Sequence, residues 1–291
     1  MTRFCERDLL GRLPVIRPGK PPCLDRHPWT GYGCQAVRGH PGPCRSYSER
    51  GWHVEWYPDR GNGELRGTGV EGAKTPAELY LDLLKKCLTR YVFGEDHLDN
   101  LQRGIVDVLH RLVPGDLIEA GAWRGGATIF MRAVLAAYGD TGRRVWVADS
   151  FQGLPRPDPE RFPAEAGDKH GTWDQLAVPL EEVQANFARF GLLDDQVRFL
   201  PGWFRDTLPA APIDRLAVLR LDGDLYGSTM DALKALCPKL AVGGYVIVDD
   251  YGNIAQCKEA ATDFRNAHGI IDPIESIDRT GVYWQRSAEG G

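Results

Sequence analysis

Two apolar runs of strand type end in paired aspartates, and few architectures accommodate that. Leu216-Ala-Val-Leu-Arg-Leu leads into Asp222-Gly-Asp224-Leu-Tyr226, and Tyr245-Val-Ile-Val leads into Asp249-Asp250-Tyr251. Like charges at neighbouring strand ends repel unless a cation or a proton separates them. A single aspartate after a strand is accounted for as a helix cap or a turn residue; four are not. A structural calcium site would call for a loop with more oxygen ligands. In an open parallel sheet, ligands bind outside the carboxyl ends of the strands. The two runs therefore predict one acid-lined crevice, of the kind that forms a catalytic floor.

The surrounding pattern fits such a sheet. From Asp116 onward, strands are expected at 116–120, 144–149, 196–200, 215–222 and 244–250. Helices are expected near 126–138, 180–190, 227–240 and 256–267. This alternation predicts a doubly wound, mostly parallel α/β sheet. Two last strands, about 273–277 and 281–285, flank Asp278-Arg-Thr-Gly281 as a hairpin. Upstream, Thr75-Pro76-Ala77-Glu78 has the form of a capping box and opens a helix running to about Tyr91. A second helix, 97–112, carries Leu101, Ile105, Val108 and Leu112. These two helices cover a sheet edge, form a subunit contact or border a substrate entrance.

Residues 1–74 differ in kind and are read as an irregular extension ahead of a 75–291 domain. They are rich in Pro, Gly and Arg, and no apolar period persists. Cys23, His27, Cys34, His40 and Cys44 could supply four ligands to Zn2+, but no Cys-x-x-Cys pair anchors them. A loosely ordered arm with incidental cysteines is the alternative. Seven cysteines, an odd and uneven set, favour a reducing cytoplasm over a disulfide framework. The net charge of −5 argues against a nucleic-acid surface. There is no run of about 18 apolar residues and so no membrane-spanning helix is expected. Charges at Arg3, Glu6, Asp8 and Arg12 argue against a secretory signal.

Three further turns point to a ligand. The first strand enters Glu119-Ala-Gly121-Ala122-Trp-Arg-Gly125-Gly126 and then a helix, a turn that lets a negatively charged group approach backbone amides. It lacks the Gly-x-Gly-x-x-Gly dinucleotide pattern, and such turns also occur simply for packing. The second strand ends at Asp149-Ser150, where an acid commonly accepts ribose hydroxyls or else caps the following loop. The third leads to Gly202-Trp203-Phe204, aromatics that either cover a flat ring such as adenine or anchor the core.

Together with Leu79-Tyr-Leu-Asp-Leu-Leu-Lys-Lys86 and Gly281-Val-Tyr-Trp284, these motifs resemble the macrocin O-methyltransferase family. Its members use S-adenosylmethionine to methylate sugar hydroxyls on macrolide and aminocoumarin antibiotics. The resemblance spans roughly Thr75 to Arg286 and gives residues 1–74 no counterpart. It implies the class I S-adenosylmethionine methyltransferase fold, a Rossmann-like seven-stranded sheet with a C-terminal antiparallel hairpin. Glu119, Gly121 and the turn after them, with Ala122 and Thr128, would bind the methionine moiety of the donor. Asp149 with Ser150 would bind its ribose, and Gly202, Trp203 and Asp222 complete the donor set. Asp222, Asp249 and Asp250 would hold Mg2+, and Asp224 would be the general base. Residues 152–179 would form a substrate lid, where His170 either assists the substrate or is solvated. A homodimer or higher homo-oligomer is also implied.

The chemistry agrees with this assignment. A sugar hydroxyl is a poor nucleophile at neutral pH; a carboxylate-held cation lowers its pKa and a nearby carboxylate accepts its proton. The substrate expected is therefore a small glycosylated natural product. Alternatives are a metal-dependent methyltransferase of catechols and a non-catalytic module that binds the donor.

Overall fold

The computed structural model describes residues 44–47, 53–56, 66–67, 76–88, 95–169 and 173–288. Thr75, His170 and the cysteines and histidines at 23, 27, 34 and 40 lie outside them. The chain forms two compact units, Met1–Leu83 and Leu84–Gly291. The first contains strands β1 (Cys44–Tyr47), β2 (His53–Trp56) and β3 (Arg66–Gly67), paired antiparallel in that order. No apolar period in the sequence marks these strands. Strands of two to four residues are too short to display a period of two, so the pattern could not announce them.

Helix α1 (Pro76–Leu88) contains the division between the units. The second unit continues with α2 (Glu95–His110), β4 (Asp116–Ala120), α3 (Gly126–Ala137) and β5 (Val145–Asp149). It proceeds through α4 (Leu180–Arg189), β6 (Val197–Pro201), α5 (Phe204–Thr207), β7 (Leu216–Leu221) and α6 (Tyr226–Leu236). β8 (Leu240–Val248), α7 (Ala255–Ala267), β9 (Glu275–Ser276) and β10 (Val282–Gln285) complete it.

Seven strands form one sheet in the order β6-β5-β4-β7-β8-β10-β9. The first five in that order run parallel, and β10 joins β8 and β9 antiparallel. From central β4 the chain winds outward through β5 to β6, then returns to place β7 on the other side. The direction of winding reverses between β4 and β7, and at such a switch point their carboxyl ends diverge into a crevice. β7 is buried along its whole length, as a parallel strand covered on both faces should be. One face packs Ile118, Trp146, Leu219, Val246 and Trp284 against Leu233 of α6 and Phe264 of α7.

Element boundaries move where local chemistry intervenes. α6 stops at Leu236 and a 3-10 turn, Cys237–Lys239, follows, because Pro238 lacks the N–H that would continue the helix. Leu112 lies beyond the end of α2 and is 81% exposed, so it is not part of the apolar face. β8 begins at Leu240, earlier than expected, since the strand passes through Gly243-Gly244 with a register shift. Trp284 is 1% exposed within the core face described above. Its replacement by Ala should lower unfolding free energy by about 3–5 kcal/mol in denaturant titrations.

Candidate active site

The strand ends open into a cavity of about 610 Å3, a volume suited to a small-molecule ligand. Glu119, Gly121 and Ala122 reach it from β4, Asp149 and Ser150 from β5, and Gly202 and Trp203 from β6. Asp222, Asp224, Asp249 and Asp250 reach it from β7 and β8. All but one of the residues expected to bind donor or cation thus line one space. The exception is Thr128, fully buried behind the wall, whose backbone N–H donates to Glu119 Oε2 at 3.1 Å.

The strand ends are laced to one another. Asp222 N donates to Ala120 O at 2.8 Å, and Gly121 N donates to Ala148 O at 2.9 Å. Gly121 has φ +97°, and a Cβ there would collide with the carbonyl oxygen of Asp222. Asp149 accepts Ala122 N at 2.8 Å and Trp123 N at 3.2 Å on Oδ2, and Phe151 N at 2.7 Å on Oδ1. It therefore sets the first loop against the second, while a carboxylate retains lone pairs for a further donor. Ser150 closes its own loop by donating to Gly153 O at 2.6 Å. Trp203 and Phe204 are both half-buried and both line the cavity, and Phe204 also packs against the core.

Beneath the floor lies a residue that the motif reading passed over. Arg220, on β7, is 2% exposed and is the register partner of Glu119 on β4. Its guanidinium bonds Glu119, Asp222 Oδ2 at 2.9 Å and Asp249 Oδ1 at 2.5 Å. A charged residue inside Leu-Ala-Val-Leu-Arg-Leu, a run buried on both faces, was the available signal. His97, on α2, was missed as well. It is 5% exposed and lines the cavity, with Nδ1 2.5 Å from Asp249 Oδ1. Burial disfavours a charge on its ring, but the hydrogen bond and charge of Asp249 outweigh this and raise its pKa.

The acids divide into two environments. Burial works against ionisation of Asp249, yet the charge of Arg220 and the bond to His97 hold its pKa below the ordinary value. Asp222, Asp224 and Asp250 instead bring one oxygen each within 4.8 Å of one another. Asp249 is not in that group. Burial and the charges of Asp222, Asp224 and Asp249 push Asp250 up to about 10. Burial also raises Glu119, to about 8, against the pull of Arg220.

Residues 152–179 supply much of the remaining wall, including Leu154, Phe162, Trp173 and Leu176. Two 3-10 turns, Pro163–Glu165 and Asp174–Leu176, shape the segment. Glu165, 3% exposed, is its clasp: Oε1 accepts Gly227 N in the first turn of α6, and Oε2 accepts Asp158 N, both at 2.7 Å. A carboxylate is favoured at a helix N-terminus. Glu165→Ala leaves both amides without their acceptor. Hydrogen exchange at Asp158 and Gly227 should then accelerate by roughly tenfold or more, with the amides of β7 unchanged.

Comparison with known proteins identifies relatives. The family profile described as macrocin-O-methyltransferase (TylF) matches residues 88–286. The chain is 51% identical over 245 residues to 8-demethyl-8-(2,3-dimethoxy-alpha-L-rhamnosyl)-tetracenomycin-C 4'-O-methyltransferase of Streptomyces olivaceus, covering 72% of this chain and 94% of that one. It is 46% identical over 251 residues to mycinamicin III 3''-O-methyltransferase of Micromonospora griseorubida, covering 74% and 98%. The solved structure of the O-methyltransferase NovP superposes with a TM-score of 0.71 at 46% identity, over 72% of this chain and 99% of that chain. The α/β sheet with its antiparallel C-terminal pair is accordingly a class I O-methyltransferase fold. The chain belongs to the macrocin O-methyltransferase family.

Proposed function

We propose that this protein transfers a methyl group from S-adenosylmethionine to a sugar hydroxyl of a glycosylated natural product, assisted by Mg2+. The observation that carries the reading is the convergence of four aspartates from β7 and β8 on the floor of a cavity whose opposite wall comes from β4, β5 and β6. The names of the relatives support the acceptor class, since one is named for a rhamnosyl-bearing tetracenomycin C and the other for mycinamicin III.

The residues fit a hard cation. Three carboxylates offer oxygens within 4.8 Å, and Asp250 is held up to about 10, by burial first and then by the surrounding acids, which is the behaviour of a cluster short of positive charge. The resemblance gives the ion to Asp222, Asp249 and Asp250, whereas the oxygens that converge are those of Asp222, Asp224 and Asp250; Asp249 would join only through the oxygen that Arg220 and His97 leave open. A bound donor would supply an electrophilic methyl carbon, and a bound cation would make the acceptor hydroxyl more acidic.

The chain's own groups do the rest. Asp149 would accept the ribose hydroxyls, Trp203 would lie against the adenine, and the backbone around Gly121 would leave room for the methionine moiety. Asp224 would take the proton from the acceptor hydroxyl. Its backbone is left-handed, φ +57°, which turns it off the line of β7 and separates its task from that of Asp222. Residues 152–179 would cover the acceptor and exclude water. Holding nucleophile and methyl group in line is the largest contribution the fold can make.

Asp224→Asn tests the base directly. Turnover should fall by a factor of about 100 or more, with S-adenosylhomocysteine and Mg2+ affinities preserved. Loss of Mg2+ affinity in this variant would make Asp224 a ligand instead, and near-normal turnover would remove it from the chemistry. Treatment with a chelator should abolish methyl transfer to a rhamnosylated acceptor, and added Mg2+ should restore it; activity that survives chelation rules out the cation.

A further inference from the structure

The two oxygens of Asp249 have unequal surroundings. Oδ1 receives both Arg220 Nη2 and His97 Nδ1, each at 2.5 Å, and among the described residues none donates to Oδ2. The imidazole is itself held from behind. Its Nε2 lies 3.2 Å from Asp278 Oδ2 and 3.1 Å from Thr280 Oγ1. Thr280 directs its only hydroxyl proton to Asp278 Oδ1 at 2.9 Å, so its oxygen can only accept from the ring. Each ring nitrogen therefore faces acceptors and acts as a donor.

The turn after β9 is shaped around this ring. Asp278 Oδ1 also accepts Thr280 N at 2.7 Å and Gly281 N at 2.8 Å, which fixes the turn. A Cβ on Gly281 would lie 2.6 Å from His97 Cε1, closer than real Cβ atoms come. One imidazole thus joins the first turn of α2, the carboxyl end of β8 and the β9–β10 turn.

We propose that His97 is a positioning residue for the cation site: with Arg220 it saturates Oδ1 of Asp249 and thereby leaves Oδ2 as the one oxygen of that carboxylate open to a cation. This rests on the cation reading given above. The alternative is a buried histidine that merely ties a helix to a sheet, and the two differ in which ring nitrogen matters. For the site it is Nδ1, which grips Asp249; for packing, either nitrogen or neither. Outer partners that orient a metal ligand typically change metal affinity by about 10–100-fold when removed.

The test is Mn2+ binding to the full chain, followed by the ion's paramagnetic resonance, in wild type and in His97→Asn, His97→Gln and His97→Ala. An Asn amide reaches about as far as Nδ1, and a Gln amide about as far as Nε2. Asn should keep Mn2+ affinity within about threefold of wild type, while Gln and Ala weaken it by about tenfold or more. Affinity for S-adenosylhomocysteine and the melting temperature, measured in parallel, should move little in Asn and Gln; if Ala does not fold, the Asn–Gln contrast still decides. Equal affinity in all variants, or equal loss in Asn and Gln, overturns the proposal. Wild-type protein that binds no Mn2+ overturns the cation reading and this role together, an outcome distinct from wild-type binding without the contrast.

Discussion

A single buried guanidinium underlies the rest of the site. Arg220 gathers Glu119 from β4, Asp222 from the end of β7 and Asp249 from the end of β8. Removing an arginine from water is tolerable only when good geometry and charge compensate, and breaking such a pair leaves charge stranded at a cost of about 3–5 kcal/mol. Here compensation runs both ways. Burial opposes its charge, but the charges of Asp249, Glu119 and Asp222 hold the guanidinium well above its ordinary pKa. In return it lets acids from adjacent strands stand side by side. Its three partners come from three strands, so the guanidinium also fixes how their ends sit relative to one another at the switch point.

Above that layer, the loops hold shapes that side chains disfavour. Among the described non-glycine residues, positive φ occurs at Trp123, Phe151 and Asp224 as well as Leu112. The first three follow β4, β5 and β7, three of the five strands whose ends line the cavity. Left-handed backbone of this kind costs of order 1–3 kcal/mol per residue and persists where surrounding bonds over-determine it. Asp149 supplies such bonds to two of these loops, accepting the amides of Trp123 and Phe151. An acid expected to face the ribose is also the brace that holds the donor wall in shape.

The same division of labour separates the floor from its cover. The floor is built on strand ends and buried ion pairs, while the described residues of 152–179 are joined to the elements around them by side-chain contacts. Glu165 joins them to α6, and Trp123 Nε1 donates to Gln175 O at 2.9 Å. The Phe162 and Tyr226 rings pack at 5.4 Å.

The sequence by itself determined the alternation of strands and helices, the hairpin at the end and the aspartates that mark the crevice. Each is written in short-range patterns: apolar periodicity, glycine at turns, and carboxylates where a buried run stops. It also held the resemblance that relatives bear out over residues 88–286. It could not show the short strands near residues 44–67, because runs of two to four residues carry no period. Nor could it pair Arg220 with Glu119, or bring His97 to Asp249 across 152 positions, or separate Asp249, held by both Arg220 and His97, from the cluster of Asp222, Asp224 and Asp250. Those are long-range matters. Charges far apart in the chain acquire partners only when the sheet sets its register and helix α2 lies across it, and burial then decides what each carboxylate can do.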